Sequence, residues 1–278
     1  MKTFSRIRKA AVAGAARFGF SLLEMTLVMM ILAMVASMFL TTAASKINEK
    51  KKDITLTHLQ EVQDALVSFR QANHRLPCPA AAALNISSSS YGREAANNNA
   101  NCTGGSPAAD VFGNGVAIGT VPTKNLGLPD DDMYDGWGNK LTYGVDTRAT
   151  VDCAFTKAYA AITDTSTVFI TVNDANGNPR TTNAWFVLVS HGQNGHGAFL
   201  PSGSRYSNGS VNANELLNCH CKSTGTYDGG LSQNLFVDQL TTENAANPLN
   251  RFDDILKYGE RMHLRNKDDE AGTTETCP

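Results

Sequence analysis

From Met25 to Ser45 the chain carries no charged residue. That run has about the length an α-helix needs to cross the hydrocarbon core of a bilayer. Ahead of it stand Lys2, Arg6, Arg8, Lys9 and Arg17, with no acid among them. Lysine and arginine stay on the cytoplasmic side, so residues after about Ser45 are expected on the opposite side. One carboxylate, Glu24, lies at the start of the apolar stretch. A charge there is costly unless it is paired. An ordinary secretory signal peptide cleaved near Thr42-Ala43-Ala44-Ser45 is the rival reading. It leaves Glu24 without a purpose and makes the apolar region too long.

The helical pattern continues past the apolar run. Between Phe20 and Leu76 there is neither glycine nor proline, the residues that break helices most strongly. Ile54, Leu59, Val62, Leu66 and Phe69 recur at helical spacing, with Glu61, Gln63, Asp64, Ser68 and Arg70 on other faces. One helix from about Phe20 to about Asn73 is expected, roughly 80 Å long at the α-helical rise. Pro77 and Pro79 end it. Residues 80–120 are rich in Ala, Asn, Ser and Gly, and Asn97-Asn98-Asn99-Ala100-Asn101 reads as an exposed loop. Val168–Val172 and Ala184–Val189 are the clearest strands, rich in β-branched and aromatic residues. The turn cluster from Asn173 to Pro179 between them predicts an antiparallel hairpin.

The stretch Arg17-Phe18-Gly19-Phe20-Ser21-Leu22-Leu23-Glu24, followed at once by the apolar run, resembles the N-terminus of type IV pilins and type II secretion pseudopilins. The resemblance implies cleavage after Gly19 by prepilin peptidase and methylation of the new N-terminus at Phe20. It also implies that Glu24 pairs with the new amine of a neighbouring subunit during assembly. Tyr134-Asp135-Gly136-Trp137-Gly138-Asn139 through Tyr143 is similar to the D-x-W-G-N-x-x-x-Y segment of pseudopilins, with Gly136 where a proline is common. Ser190-His191-Gly192-Gln193-Asn194-Gly195-His196-Gly197-Ala198 and Phe252-Asp253-Asp254-Ile255-Leu256 resemble segments of large minor pilin-like proteins.

The fold class implied is α+β and pilin-like: one long N-terminal helix, membrane-spanning in its first half, packed on an antiparallel β-sheet with long loops. The expected organisation is a basic leader (1–19), a transmembrane or filament-core helix (20–45), an amphipathic helical half (46–74), a periplasmic globular domain (75–264) and a flexible tail (265–278). Localisation follows as single-pass in a bacterial inner membrane, then in a pilus or pseudopilus. Expected partners are prepilin peptidase, other pilin or pseudopilin subunits and the inner-membrane assembly platform.

Charge and cysteine content narrow the function further. The whole chain is −2, and the leader holds five basic residues and no acid, so the remainder carries −7. An acidic protein is poorly suited to nucleic acid, because phosphate contacts need a basic surface. Six cysteines lie beyond the apolar run: Cys78, Cys102, Cys153, Cys219, Cys221 and Cys277. In an oxidising compartment they are disulfide candidates. Local loop closure favours Cys78 with Cys102, and Cys153 with Cys219 or Cys221.

Chemistry-bearing constellations are sparse. Cys219-His220-Cys221 lacks the spacing of common zinc sites. His191 beside Ser190 has no nucleophile elbow around it. Asp130, Asp131, Asp132 and Asp135 are one calcium candidate, and Asp174, Asn176 and Asn178 another; the second lacks the closing glutamate of an EF-hand. Asp-rich turns are mostly just turns, and no cofactor is otherwise expected. With so little chemistry in view, the resemblance implies a structural filament subunit, a minor one given its large globular domain, and not an enzyme. An adhesion or DNA-uptake pilin and an anchored periplasmic enzyme are the rival classes.

Overall fold

A computed structural model describes residues 21–95, 102, 111–113, 115–151 and 170–260, with backbone alone at 38–44 and 111–113. The leader, Gly19, Phe20, Cys153, Cys277, the asparagine-rich loop and the tail beyond 264 lie outside the described residues. The chain divides into two compact units, Met1–Ile47 and Asn48–Pro278.

Helix α1 spans Leu22–Asn73. Its continuity follows from the absence of glycine and proline. It stops where His74 turns left-handed, at φ 54°, and donates its backbone N–H to the Arg70 carbonyl at 2.8 Å. An αL residue closing a helix is usually glycine. Here Pro77 follows and bars any continuation.

The second unit is built on a sheet of seven strands. These are β1 (Val111–Gly113), β2 (Val116–Thr120), β3 (Thr142–Asp146), β4 (Ile170–Asn173), β5 (Pro179–Ser190), β6 (Leu235–Val237) and β7 (Ile255–Glu260). A four-residue helix α2 (Thr123–Leu126) and helix α3 (Ala213–Cys219) lie in the connections. The strand order is β1-β2-β3-β5-β4-β6, with β7 pairing β5. The expected hairpin is present, with β4 and β5 antiparallel. Its turn is closed by Asp174, whose Oδ1 accepts from the backbone N–H of Asn176 and of Asn178.

Strand β5 shows why the sheet carries two cores. Side chains alternate across a strand. Phe186 and Leu188 join Leu59, Val62, Leu66, Tyr143 and Val145 in one cluster. Val187 and Val189 join Ile118, Ile170, Val172 and Phe236 in the other. A strand covered on both faces reads as a continuous apolar run, as Ala184–Val189 does. Gly136 brings the β-side loop against α1: a Cβ there would lie 2.0 Å from the Lys51 carbonyl oxygen, and its N–H donates to Thr55 Oγ1 at 2.9 Å.

Two expectations about the fold are corrected. The sheet is mixed and not antiparallel, because β6 runs parallel to β4. Among the described residues no helix is long and apolar enough to cross a membrane, which overturns the transmembrane segment and the single-pass inner-membrane placement. The described side chains of the apolar stretch, residues 22–37, include the carboxylate of Glu24 and the hydroxyl of Thr26, polar groups that are costly in a hydrocarbon core.

Candidate functional site

The helix start is a reciprocal cap. Ser21 N donates to Glu24 Oε2 at 3.2 Å, and Glu24 N donates to Ser21 Oγ at 3.3 Å. This is a capping box, which satisfies two of the N–H groups that a helix start leaves orphaned. Glu24 therefore has a local structural role besides the assembly role implied by resemblance. The Ser21-x-x-Glu24 spacing was the signal for it. Beyond the cap, every large apolar side chain from Leu22 to Val35 is exposed, from 84% at Leu22 to 45% at Val28 and Val35. Thr26 and Ser37 turn their hydroxyls onto the carbonyls of Leu23 and Met34, so the helix adds little polar surface of its own.

The first group of calcium candidates does not converge. Asp130 pairs with Lys124 at 2.7 Å. Asp132 faces His58 at 3.9 Å and lies close to Glu61. Its carboxyl is raised, first by burial and then by the Glu61 charge. Asp135 turns inward, accepting from Ser190 Oγ at 2.8 Å and from the N–H groups of Trp137 and Asn139. In the second group Asp174 is held by its own turn, with Asn178 Nδ2 donating to its other oxygen at 3.2 Å. Those hydrogen bonds hold its carboxyl below the usual range.

Cys78 and Cys102 form a disulfide across 24 residues. Cys219 is bridged to Cys221, two residues on. The loop-closure preference for Cys153 as the partner of one of them is thus corrected. The bridge leaves neither sulfur as a thiolate for His196, which lies beside both. Three buried histidines flank this end of the sheet. His191 Nε2 meets Thr142 Oγ1 at 2.9 Å, and burial pushes its pKa down to about 3. Its neighbour Ser190 spends its hydroxyl on Asp135, so the two do not form a nucleophile–base pair. His196 meets the Lys222 carbonyl at 3.1 Å, and burial lowers its pKa as well. His220, left-handed at φ 49°, stacks edge-on against Phe236.

A feature absent from the sequence reading is a buried acidic cluster. Glu215 on α3 meets Asp253 and Asp254 ahead of β7, and all three are 6% exposed or less. Burial raises both Asp253 and Asp254 above the ordinary carboxylate range. The one local clue was two adjacent acids between Phe252 and Ile255. No family model matches the chain, and neither a curated protein nor a solved structure matches it.

Proposed function

We propose that this chain is a structural subunit of a type IV pilus or a type II secretion pseudopilus, cut after Gly19, methylated at Phe20 and assembled through its N-terminal helix. The observation that carries the reading is the uncovered apolar surface of α1. Leu22, Leu23, Met25, Leu27, Met29, Met30, Ile31 and Leu32 are all more than half exposed. Exposed apolar area on this scale marks an interaction surface. Burying each such side chain contributes about 1.5–3 kcal/mol, so a bundle of neighbouring helices is strongly favoured over solvent. The processing motif lies immediately before this surface, which accounts for a leader that must be removed before helices pack.

The role is structural and not catalytic. The histidines with altered acidity are buried and bonded to backbone or threonine. The globular unit is large and rich in long connections, which favours a minor subunit. Co-expression with a prepilin peptidase followed by intact-mass analysis tests processing: the expected product starts at Phe20 and carries one added methyl group. A product starting near Ser45 would overturn the reading. Cysteines introduced at Leu27 and Met30 should crosslink the chain to other pilin-like subunits. Absence of such crosslinks in a cell that assembles filaments would also overturn it.

A further inference from the structure

His58 and Glu61 stand three residues apart on α1, so they share a face of the helix. Asp132 reaches the same spot from the 3₁₀ turn Asp130–Met133. A ring nitrogen of His58 and one carboxylate oxygen each from Glu61 and Asp132 lie within 4.8 Å of one another. The seam that brings them together is fixed by two hydrogen bonds. The N–H of Gly136 donates to Thr55 Oγ1, and the Tyr134 carbonyl meets His58 Nδ1 at 2.6 Å. A carbonyl can only accept, so Nδ1 carries the proton and the neutral ring presents its lone pair at Nε2. Metal-binding histidines are oriented in this way, by giving the other ring N–H to a backbone carbonyl or a carboxylate.

Asp132 lacks what a buried carboxylate ordinarily has. Its side chain is 9% exposed, yet no N–H or hydroxyl among the described residues donates to it. Buried polar groups in native proteins are almost always partnered. His58 Nε2 stands 3.9 Å from Asp132 Oδ1, beyond hydrogen-bond reach. Glu61 adds a second carboxylate, and no lysine or arginine among the described residues forms an ion pair with either acid. Two carboxylates this close must share a proton, repel each other or hold a cation between them. The lone pair of His58 aimed at the same spot favours the cation, because a shared proton would leave Nε2 without a partner.

We propose that His58 Nε2, Glu61 and Asp132 form a binding site for one divalent transition-metal ion, with zinc the best-fitting ion. One imidazole nitrogen and two carboxylate oxygens are a donor set that zinc accepts, at about 2.0–2.2 Å, so two of its ligands lie at most about 4.3 Å apart. The separation of His58 and Asp132 already falls within that span. Glu61 is exposed on the helix, so its side chain is free to close the remainder. A neutral imidazole and two carboxylates also balance a charge of two. Calcium and magnesium favour shells made of oxygen alone and fit this set less well. Three protein ligands leave a fourth position for water. The ion would staple the later half of α1 to the loop that precedes β3. It goes beyond the filament role, since helix packing through residues 22–37 does not require it.

The test uses the full chain with its disulfides oxidised, stripped with EDTA. Zinc titration by calorimetry should show one ion per chain, and melting in zinc at about a hundredfold over its Kd should lie above melting in EDTA. Calcium in place of zinc should bind at least about tenfold more weakly. Asp132→Asn keeps the shape of the side chain, and His58→Asn keeps a donor for the Tyr134 carbonyl. Each should weaken zinc binding at least about tenfold. If either variant fails to fold, Glu61→Gln at its exposed position gives the same readout. Wild-type melting that is identical in zinc and EDTA, with no heat of binding, overturns the proposal and assigns the two acids to a shared proton. Calcium binding as tight as zinc binding overturns the choice of ion class. Undiminished zinc binding in the folded variants also overturns the proposal, because the ion then sits elsewhere.

Discussion

The two halves of α1 obey opposite rules. Leu59, Val62 and Leu66 are fully buried against the sheet, whereas Leu22 and Met29 are 84% and 64% exposed. In the later half an apolar stripe faces a partner within the same chain, and polar residues take the other faces. In the earlier half apolar residues lie all round, and among the described residues of its own unit nothing covers them. An apolar stripe specifies a fold; an apolar cylinder specifies an assembly.

The sharpest way to break this comparison is to shorten one side chain in each half. Leu66→Ala should cost about 2–5 kcal/mol of folding stability, the range for a buried leucine. Leu27→Ala, on the exposed side, should shift urea unfolding of the dispersed chain by about 0.5 kcal/mol or less, yet reduce crosslinking to other subunits. Equal losses of stability in both variants would erase the distinction.

Acid should strike the second unit in particular, because its buried histidines have no counterpart among residues 21–37. Burial, followed by Arg205, pushes His220 from 6.5 down to about 4. The unfolded chain therefore binds the proton more readily. The contribution is fully present above pH 6.5 and is lost as pH falls from there toward 4, by on the order of 3 kcal/mol for this group. Chemical denaturation across that range checks it. His220→Asn, which tolerates the left-handed backbone, should flatten the slope.

Gly136→Ala probes the docking of the later half. Its Cβ would meet the Lys51 carbonyl, so the loop or helix must shift, at about 1–3 kcal/mol. Thermal melting that matches wild type would show that this close approach is not needed.

The smallest effect separates two roles of Glu24. Glu24→Gln keeps the capping box and removes the charge, whereas Glu24→Ala removes both, with a cap worth about 1 kcal/mol. If the charge pairs with a neighbour's amine, both variants should assemble poorly in a crosslinking assay. Assembly that fails only in Glu24→Ala would leave the cap as the whole of its role.

What was legible locally in the sequence follows from short-range rules. The extent of α1 came from a missing glycine and proline and from Pro77. The β4–β5 hairpin came from β-branched runs and an Asp-Asn-Gly turn. Other features were misread, since they rest on distant residues. The pairing of Cys219 with Cys221 depends on how the chain turns at His220 after α3. The parallel approach of β6 to β4 depends on the long connection after β5, which returns the chain to the edge beside β4.

The candidate sites divide in the same way. Gly19, Phe20, Ser21 and Glu24 are contiguous, so their pattern was readable without a fold, as was the all-apolar surface that follows. By itself the sequence determined that surface and the helix that displays it, because helix formation and hydropathy are properties of neighbouring residues. Only the tertiary structure decided that Glu215 meets Asp253 and Asp254 beside His191. Those residues lie in different segments, and the packing of α3 beside β6 together with the pairing of β7 with β5 brings them together. The same packing excludes the water that would otherwise have solvated their charges.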